Sequence, residues 1–103
     1  MKDVKVILEA EEELFEAALY YEGKQTGLGL DFKREIERSF ELIANAPLLW
    51  GKRYKNYRRY LLKRFPFEIW YEDMDSFIRV LAISHQKRRP YYWRNRGSKS
   101  ELQ

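Results

Sequence analysis

The stretch YRRYLLKRFPFEIWYEDMDSFIRVLAISH, residues 57–85, decides the fold of this chain. It is rich in aromatic and β-branched residues, and a Phe-Pro step and an Asp-Met-Asp-Ser tetrapeptide interrupt it. Aromatic and branched residues favour strands, whereas proline and clusters of Asp and Ser favour turns. The pattern therefore predicts consecutive antiparallel strands over residues 57–65, 67–73 and 77–85.

The residues before this stretch predict one short strand and two helices. VKVIL at residues 4–8 is branched and alternating, which favours a strand. Apolar residues then recur at helical spacing over residues 9–27 and 30–47, and the glycines of TGLGLDF separate the two patterns. We therefore predict an antiparallel helix hairpin. The second helix is expected to bury Phe32, Ile36, Phe40 and Ile43.

The predicted element order, β-α-α-β-β-β, indicates an α+β domain. The helix hairpin must bury its apolar side, so we expect it to pack on one face of a twisted, largely antiparallel four-stranded sheet. Alternation along the last strand predicts which side chains face the helices. These are Ile78, Val80 and Ala82, whereas Phe77, Arg79, Leu81, Ile83 and His85 are expected on the other face.

Length and composition limit the class of protein. A chain of 103 residues with 45% hydrophobic residues is long enough for one folded domain, which we expect at residues 1–97, before a frayed tail at residues 98–103. The chain has no cysteine and one histidine, so we predict no disulfide, no metal site and no cofactor. The lack of a long apolar run and of cysteine favours a cytoplasmic protein without a membrane span.

The two halves of the chain carry opposite charge. Residues 1–51 hold six Lys/Arg and eleven Asp/Glu, whereas residues 52–103 hold fourteen and five, so the net charges are −5 and +9. A surface divided in this way favours a polyanionic or acidic partner for the basic half. The alternative is a solvated charged surface that serves only solubility.

Two dense basic runs carry most of the positive charge. GKRYKNYRRYLLKRF at residues 51–65 contains seven Lys/Arg and no acid, and SHQKRRPYYWRNRG at residues 84–97 contains five Lys/Arg. Cations interleaved with aromatic rings bind RNA, but they also anchor protein partners. We expect the two runs to meet on one concave face. The residues predicted to bind nucleic acid or a partner are Lys52, Arg53, Lys55, Arg58, Arg59, Arg88, Arg89, Tyr92 and Trp93.

Single residues give weaker signals, and each has a structural alternative. His85 is of the side-chain type that ordinarily exchanges protons near neutral pH, but a histidine at a strand end is more often structural. Arg79 can pair with Glu68 or Glu72 on the neighbouring strand instead of binding a ligand. The aromatic residues near the end can pack back on the sheet. The sequence contains no phosphate loop, dinucleotide fingerprint, zinc hydrolase or serine hydrolase motif.

Motifs along nearly the whole chain resemble one family. They are EAALYYE in the first helix, GLGLDFKREIE and IANAPLLW at the two ends of the second, RRYLLKRFPFEIWYE across two strands, and IRVLAISHQKRRPYYWRNR at the end. Together they resemble the RelE/ParE superfamily of toxins from type II toxin–antitoxin modules, often called plasmid stabilization proteins. The resemblance implies a growth-inhibiting toxin that forms a hetero-oligomer with a cognate antitoxin protein.

The resemblance leaves the cellular target open. ParE-like members inhibit DNA gyrase, whereas RelE-like members enter the ribosome and cut mRNA through its own 2′-hydroxyl. In a RelE-like toxin, a metal-independent endoribonuclease, the implied catalytic residues are Arg59, Arg79, His85 and Tyr91. We favour the ParE-like function, because the sequence holds many interface anchors and one candidate proton shuttle. A non-toxic basic binding module is a further alternative.

Overall fold

The computed structural model describes residues 1–96, so the tail predicted at residues 98–103 lies outside the described residues. Within that range, no helix combines the length and the apolar character that a membrane span needs. The helices and strands, in chain order, are β1 (Asp3–Val6), α1 (Leu8–Lys24), α2 (Leu28–Asn45), β2 (Lys52–Tyr54), β3 (Tyr57–Leu61), β4 (Phe67–Asp73) and β5 (Phe77–His85).

The strands form one sheet in the order β1-β5-β4-β3-β2. β1 runs parallel to β5, and the other neighbouring strands are antiparallel. The predicted α+β class, a helix hairpin on a largely antiparallel sheet, is confirmed. The sheet has five strands rather than four, because Lys52–Tyr54 adds an edge strand. The sequence of this strand, Lys-Arg-Tyr, contains no β-branched residue that would predict it, and its pairing with β3 is irregular.

β3 ends at Leu61, earlier than the predicted residue 65. The carboxylate of Glu35 on α2 accepts hydrogen bonds from the backbone N–H groups of Lys63 (2.8 Å) and Arg64 (3.2 Å). A side chain therefore satisfies donors that would otherwise need a neighbouring strand. The loop after β3 is held against α2 by this carboxylate.

The turn between the helices depends on glycine and on one carboxylate. Gly27 has a φ of 90°, in the left-handed region that favours glycine. The Glu22 carboxylate on α1 accepts hydrogen bonds from the N–H groups of Gly27 (3.0 Å) and Gly29 (3.1 Å). Glu22 thus satisfies donors at the start of α2 that the helix itself leaves unpaired. It also fixes the direction in which α2 leaves the turn.

The main core lies between the helix hairpin and the sheet. Phe32, Ile36 and Ile43 of α2 are fully buried, as predicted. Phe40 packs against this core, on the face that was predicted, but it is only partly buried rather than fully buried. Buried side chains of the sheet complete the core on its other side. They are Tyr60, Ile69, Tyr71, Ile78, Val80 and Ile83.

A bulge in β5 changes which side chains face the helices. Tyr71 of β4 pairs with Val80, whereas Trp70 pairs with Ala82, so Leu81 is an extra residue in β5. Leu81 and Ala82 both pack in a second cluster with Trp70. This cluster lies on the sheet face opposite the helices, which we call the open face. A bulge of this kind shifts the alternation of every residue after it.

The predicted alternation therefore fails beyond the bulge. Ala82, expected to face the helices, lies on the open face. Ile83 and His85, expected on the open face, lie on the helix side, where the His85 ring contacts Phe67 at 5.1 Å between ring centroids. Before the bulge, Ile78 and Val80 face the helices as predicted.

The close approach of the helices predicts opposite effects of alanine at two glycines. A Cβ at Gly29 would lie 2.5 Å from the backbone oxygen of Ala18, whereas one at Gly23 would contact nothing within 4 Å. We expect Gly29→Ala to lower the free energy of unfolding by about 1–3 kcal/mol, because α2 must move away from α1. Gly23→Ala, the control inside α1, should raise it by up to about 1 kcal/mol. Urea unfolding measures both changes, and equal effects would contradict this packing.

Candidate functional site

The open face is covered by the C-terminal segment, residues 86–96. Trp93 of this segment packs on Trp70, with ring centroids 4.4 Å apart, and the two rings are 1% and 4% exposed. Tyr57 meets the edge of Trp93 at 5.2 Å between ring centroids. The sheet thus has a second core on this side. Trp93, predicted to bind a partner, lies in that core and offers almost no surface to one.

One carboxylate fastens the C-terminal segment to α1 and β5. Glu13 accepts the Ile83 N–H at 3.0 Å, both terminal nitrogens of Arg96 at 2.9 and 3.1 Å, and the Tyr92 hydroxyl. Arg96 also donates to the Leu81 carbonyl at 3.2 Å. Bidentate pairing of a guanidinium and a carboxylate fixes both groups. We call this arrangement the Glu13 clasp.

Sequence reasoning missed Glu13, although its spacing held a signal. Glu13 lies three residues after Ala10 and four before Ala17, and both alanines are buried. That spacing places its side chain on the buried stripe of α1. An acid on such a stripe needs a partner, and the basic residues at the end of the chain are natural candidates.

A groove lies on the open face beside the C-terminal segment. Its volume is about 280 Å³. Arg59 in this groove pairs with Glu68 at 3.6 Å, and its guanidinium lies 6.0 Å from the centre of the Trp70 ring. Tyr91 is stacked on Tyr54, with ring centroids 4.7 Å apart. Among the predicted residues, the open-face groove brings together Arg59, Arg88, Arg89 and Tyr91, and the buried Trp93 forms part of its wall.

Arg79 and His85 lie on opposite faces of the sheet. Arg79, 7% exposed, donates to the Glu72 carboxylate at 2.7 Å on the open face. His85 lies on the helix side beside Phe67, and its Nδ1 accepts the Lys87 N–H at 3.0 Å. The sheet therefore separates this buried arginine from the histidine.

The remaining basic residues are divided between two places. Arg58 lies on the helix side and donates to the Trp50 carbonyl at 2.7 Å. Lys52, Arg53 and Lys55 are exposed on and beside β2, the edge strand. The two basic runs thus meet only in part, through Arg59 of the first run and the C-terminal segment.

The side chains of the groove can bind an anionic ligand through their positive charge and stack on an aromatic ring. Arginines there can hold a phosphate or a carboxylate, and the exposed edge of Tyr91 can contact a ring. Tyr91 is 36% exposed. The Tyr92 hydroxyl, in contrast, is committed to Glu13, while the Arg88 guanidinium lies 3.9 Å from the centre of the Tyr92 ring. The groove therefore combines positive charge with one available aromatic ring.

A helix hairpin on one face of a mostly antiparallel five-stranded sheet is the ParE-like fold. The chain belongs to the family of ParE toxins of type II toxin–antitoxin systems, parDE, whose family model matches residues 4–90. The predicted family resemblance is confirmed. Membership implies a ParD antitoxin as the cognate partner.

A solved structure has a similar fold. The chromosomal ParDE TA system from P. aeruginosa matches with a TM-score of 0.70 at 18% identity, over 82% of this chain and 96% of that chain. At this identity the similarity shows the fold alone. No curated protein sequence matches the chain.

The Glu13 clasp predicts a large loss of stability when its carboxylate is removed. Glu13→Gln leaves the half-buried Arg96 without its counter-charge and weakens the hydrogen bonds to Ile83 and Tyr92. We expect the free energy of unfolding to fall by about 2–4 kcal/mol. Glu12→Gln, at the exposed neighbouring position, should change it by less than about 0.5 kcal/mol. Intrinsic tryptophan fluorescence during denaturant unfolding measures both stabilities, and equal stability of the two variants would refute the clasp.

Tyr92 predicts a loss of stability at alkaline pH. Burial and the hydrogen bond to Glu13 raise the pKa of Tyr92 from its ordinary value near 10 to about 12. The unfolded chain releases this proton first, so the stability that protonated Tyr92 contributes is complete below about pH 10 and is lost towards pH 12. We expect Tyr92→Phe to unfold with a shallower dependence on pH over this range. Denaturant titrations at several pH values test this, and an unchanged pH dependence would contradict it.

Proposed function

We propose that this ParE toxin arrests bacterial growth by inhibiting DNA gyrase without cutting RNA. The observation that carries the proposal is the separation of Arg79 and His85 by the sheet. RNA cleavage through the 2′-hydroxyl needs a proton acceptor and a cation near the same phosphate. His85, the natural proton acceptor, lies on the helix side, in a pocket that it shares with Arg88 but not with Arg59 or Arg79, and Glu13 and Glu16 line that pocket as well. An inhibitor that acts by binding needs no such pair.

The pairing of the two open-face arginines, Arg59 and Arg79, supports the same function. Arg79 and Arg59 each have a carboxylate neighbour, Glu72 at 2.7 Å and Glu68 at 3.6 Å. A carboxylate beside a guanidinium compensates the charge that would otherwise stabilise a reacting phosphate. These pairs hold the open face together instead. The groove is therefore better suited to contact a protein surface than to perform catalysis.

The cognate antitoxin is expected to oppose the charge of the basic half. A chain with a net charge of +9 over residues 52–103 favours an acidic segment as its ligand. A partly disordered antitoxin can lay a helix or a strand across the groove and form a hetero-oligomer with the toxin. Both proteins would act in the cytoplasm, where gyrase is found.

A metal-independent endoribonuclease of the RelE type is the second candidate. The open-face groove favours it, because Arg59, Arg88, Arg89 and Tyr91 lie together beside about 280 Å³ of open space. Such a site could bind a phosphate and stack a base. The Tyr91 hydroxyl would then have to transfer the proton. A basic module that binds nucleic acid without toxicity is the remaining alternative.

Two assays on one protein distinguish these functions. We expect expression of the toxin alone to stop growth, purified toxin to block supercoiling of relaxed plasmid by purified gyrase, and cellular mRNA to stay intact. Translation-dependent mRNA cuts together with normal supercoiling would instead establish the RelE-like activity. Normal growth with folded toxin would favour the non-toxic module.

Variants at one histidine and one tyrosine make the test more specific. We expect His85→Ala to retain both growth arrest and gyrase inhibition, because this side chain lies away from the groove. Tyr91→Phe keeps the ring and removes the hydroxyl, so it should also retain both. Loss of toxicity in either folded variant, measured by growth curves and circular dichroism, would contradict an inhibitor that acts by binding alone.

A further inference from the structure

The loop between α2 and β2 presents two neighbouring leucines to solvent. Leu48 and Leu49 are 66% and 72% exposed, more than any leucine of the preceding helix α2. We call residues 46–51 the Leu-Leu loop. Single exposed leucines are common on protein surfaces, but a pair at the tip of one loop forms a compact apolar projection.

The backbone of the Leu-Leu loop is fixed on both sides of the leucines. The Tyr71 hydroxyl donates to the Pro47 carbonyl at 2.6 Å, and Arg58 donates to the Trp50 carbonyl at 2.7 Å. The Trp50 ring also packs on Tyr60, with ring centroids 5.0 Å apart. These contacts anchor the loop to the sheet while the two leucines point away from the core. Little conformational entropy is then lost when the leucines bind a partner.

Uncompensated positive charge lies beside the leucines. Lys52 and Arg53 are exposed on β2, and neither side chain forms an ion pair within residues 1–96. The nearby acids are already paired, since Glu72 binds Arg79 at 2.7 Å and Asp73 binds Lys2 at 2.6 Å. The sheet edge next to the loop is thus both apolar and cationic.

We propose that the Leu-Leu loop inserts Leu48 and Leu49 into an apolar pocket rimmed by Asp and Glu on the protein that the toxin inhibits. This inference rests on the proposed function, because it assigns the surface that contacts that target. Leucines offer neither a cation for a phosphate nor a ring for stacking on a base, so an apolar pocket on a protein suits this pair better than a nucleic acid does. A second copy of this chain would bring the same positive charges together, which opposes association.

The experiment compares a loop variant with a matched control on α1. Leu48→Ser with Leu49→Ser removes the apolar projection, whereas Leu8→Ser with Leu19→Ser removes two leucines that are 67% and 56% exposed elsewhere. We expect the loop variant to need at least about tenfold more protein to half-inhibit purified gyrase, because two apolar contacts are lost. The control should inhibit like the unmodified toxin. Circular dichroism and thermal unfolding should show both variants folded.

The charge next to the loop gives a second, independent readout. Lys52→Glu with Arg53→Glu should also weaken gyrase inhibition by at least about tenfold, and the difference should shrink as salt concentration rises. An unchanged half-inhibiting concentration for the loop variant would overturn the inference. Equal losses in the loop variant and the α1 control would overturn it too, because the effect would not be specific to the loop.

Growth arrest separates failure of this inference from failure of the proposed function. If unmodified toxin does not inhibit gyrase but still stops growth, the gyrase proposal fails, and the loop is judged by growth arrest alone. Loss of arrest in the loop variant but not in the α1 control then supports the loop as the target-binding surface, and retained arrest overturns it. Copurification with the cognate ParD antitoxin tests whether the antitoxin, instead of the target, occupies the Leu-Leu loop. Loss of antitoxin binding with unchanged toxicity would overturn the inference.

Discussion

The arrangement of the open face depends on the ionic contact between Glu13 and Arg96. Through one carboxylate, α1 is joined to the backbone of Ile83 in β5, to the Tyr92 hydroxyl and to Arg96 in the C-terminal segment. Trp93 lies in the same segment, so its position on Trp70 depends on this contact. A basic, aromatic segment that would otherwise extend into solvent becomes one wall of a groove. The Glu13 clasp thus determines which basic side chains of this segment are available to bind a partner.

The extra residue in β5, Leu81, also determines which side chains the open face presents. Local composition was enough to predict where β4 and β5 begin and end, because Phe67–Asp73 and Phe77–His85 are bounded by proline and by acidic turn residues. It could not reveal the bulge, because Leu81, Ala82 and Ile83 are all apolar and fit either face. The face on which His85 lies is decided by pairing with β4, which is a long-range property.

The sequence predicted which types of residue form the candidate site, but not how they are arranged in space. Two basic runs with interleaved rings indicate a binding surface, and Arg59, Arg89 and Tyr91 do line one groove. Whether a given ring is an anchor or a core residue depends on what covers it. Trp93 and Tyr91 are two residues apart, yet they are 1% and 36% exposed. The short edge strand β2 was missed for the same reason, because its pairing with β3 is tertiary and its own residues are mostly charged.

Positive charge in this protein has two different roles, and ion pairing distinguishes them. On the open face, Arg79 and Arg59 lie beside Glu72 and Glu68, so their charge is balanced within the fold and contributes to holding the strands together. At the β2 edge, the exposed cations have no such balance among the described ion pairs. An unbalanced exposed charge attracts an acidic surface over several ångströms, whereas a balanced one acts only at contact. Arg88 and Arg89 beside the groove are also exposed and absent from the described ion pairs, so an acidic partner is expected to be attracted both to this edge, next to the exposed leucines, and to that side of the groove.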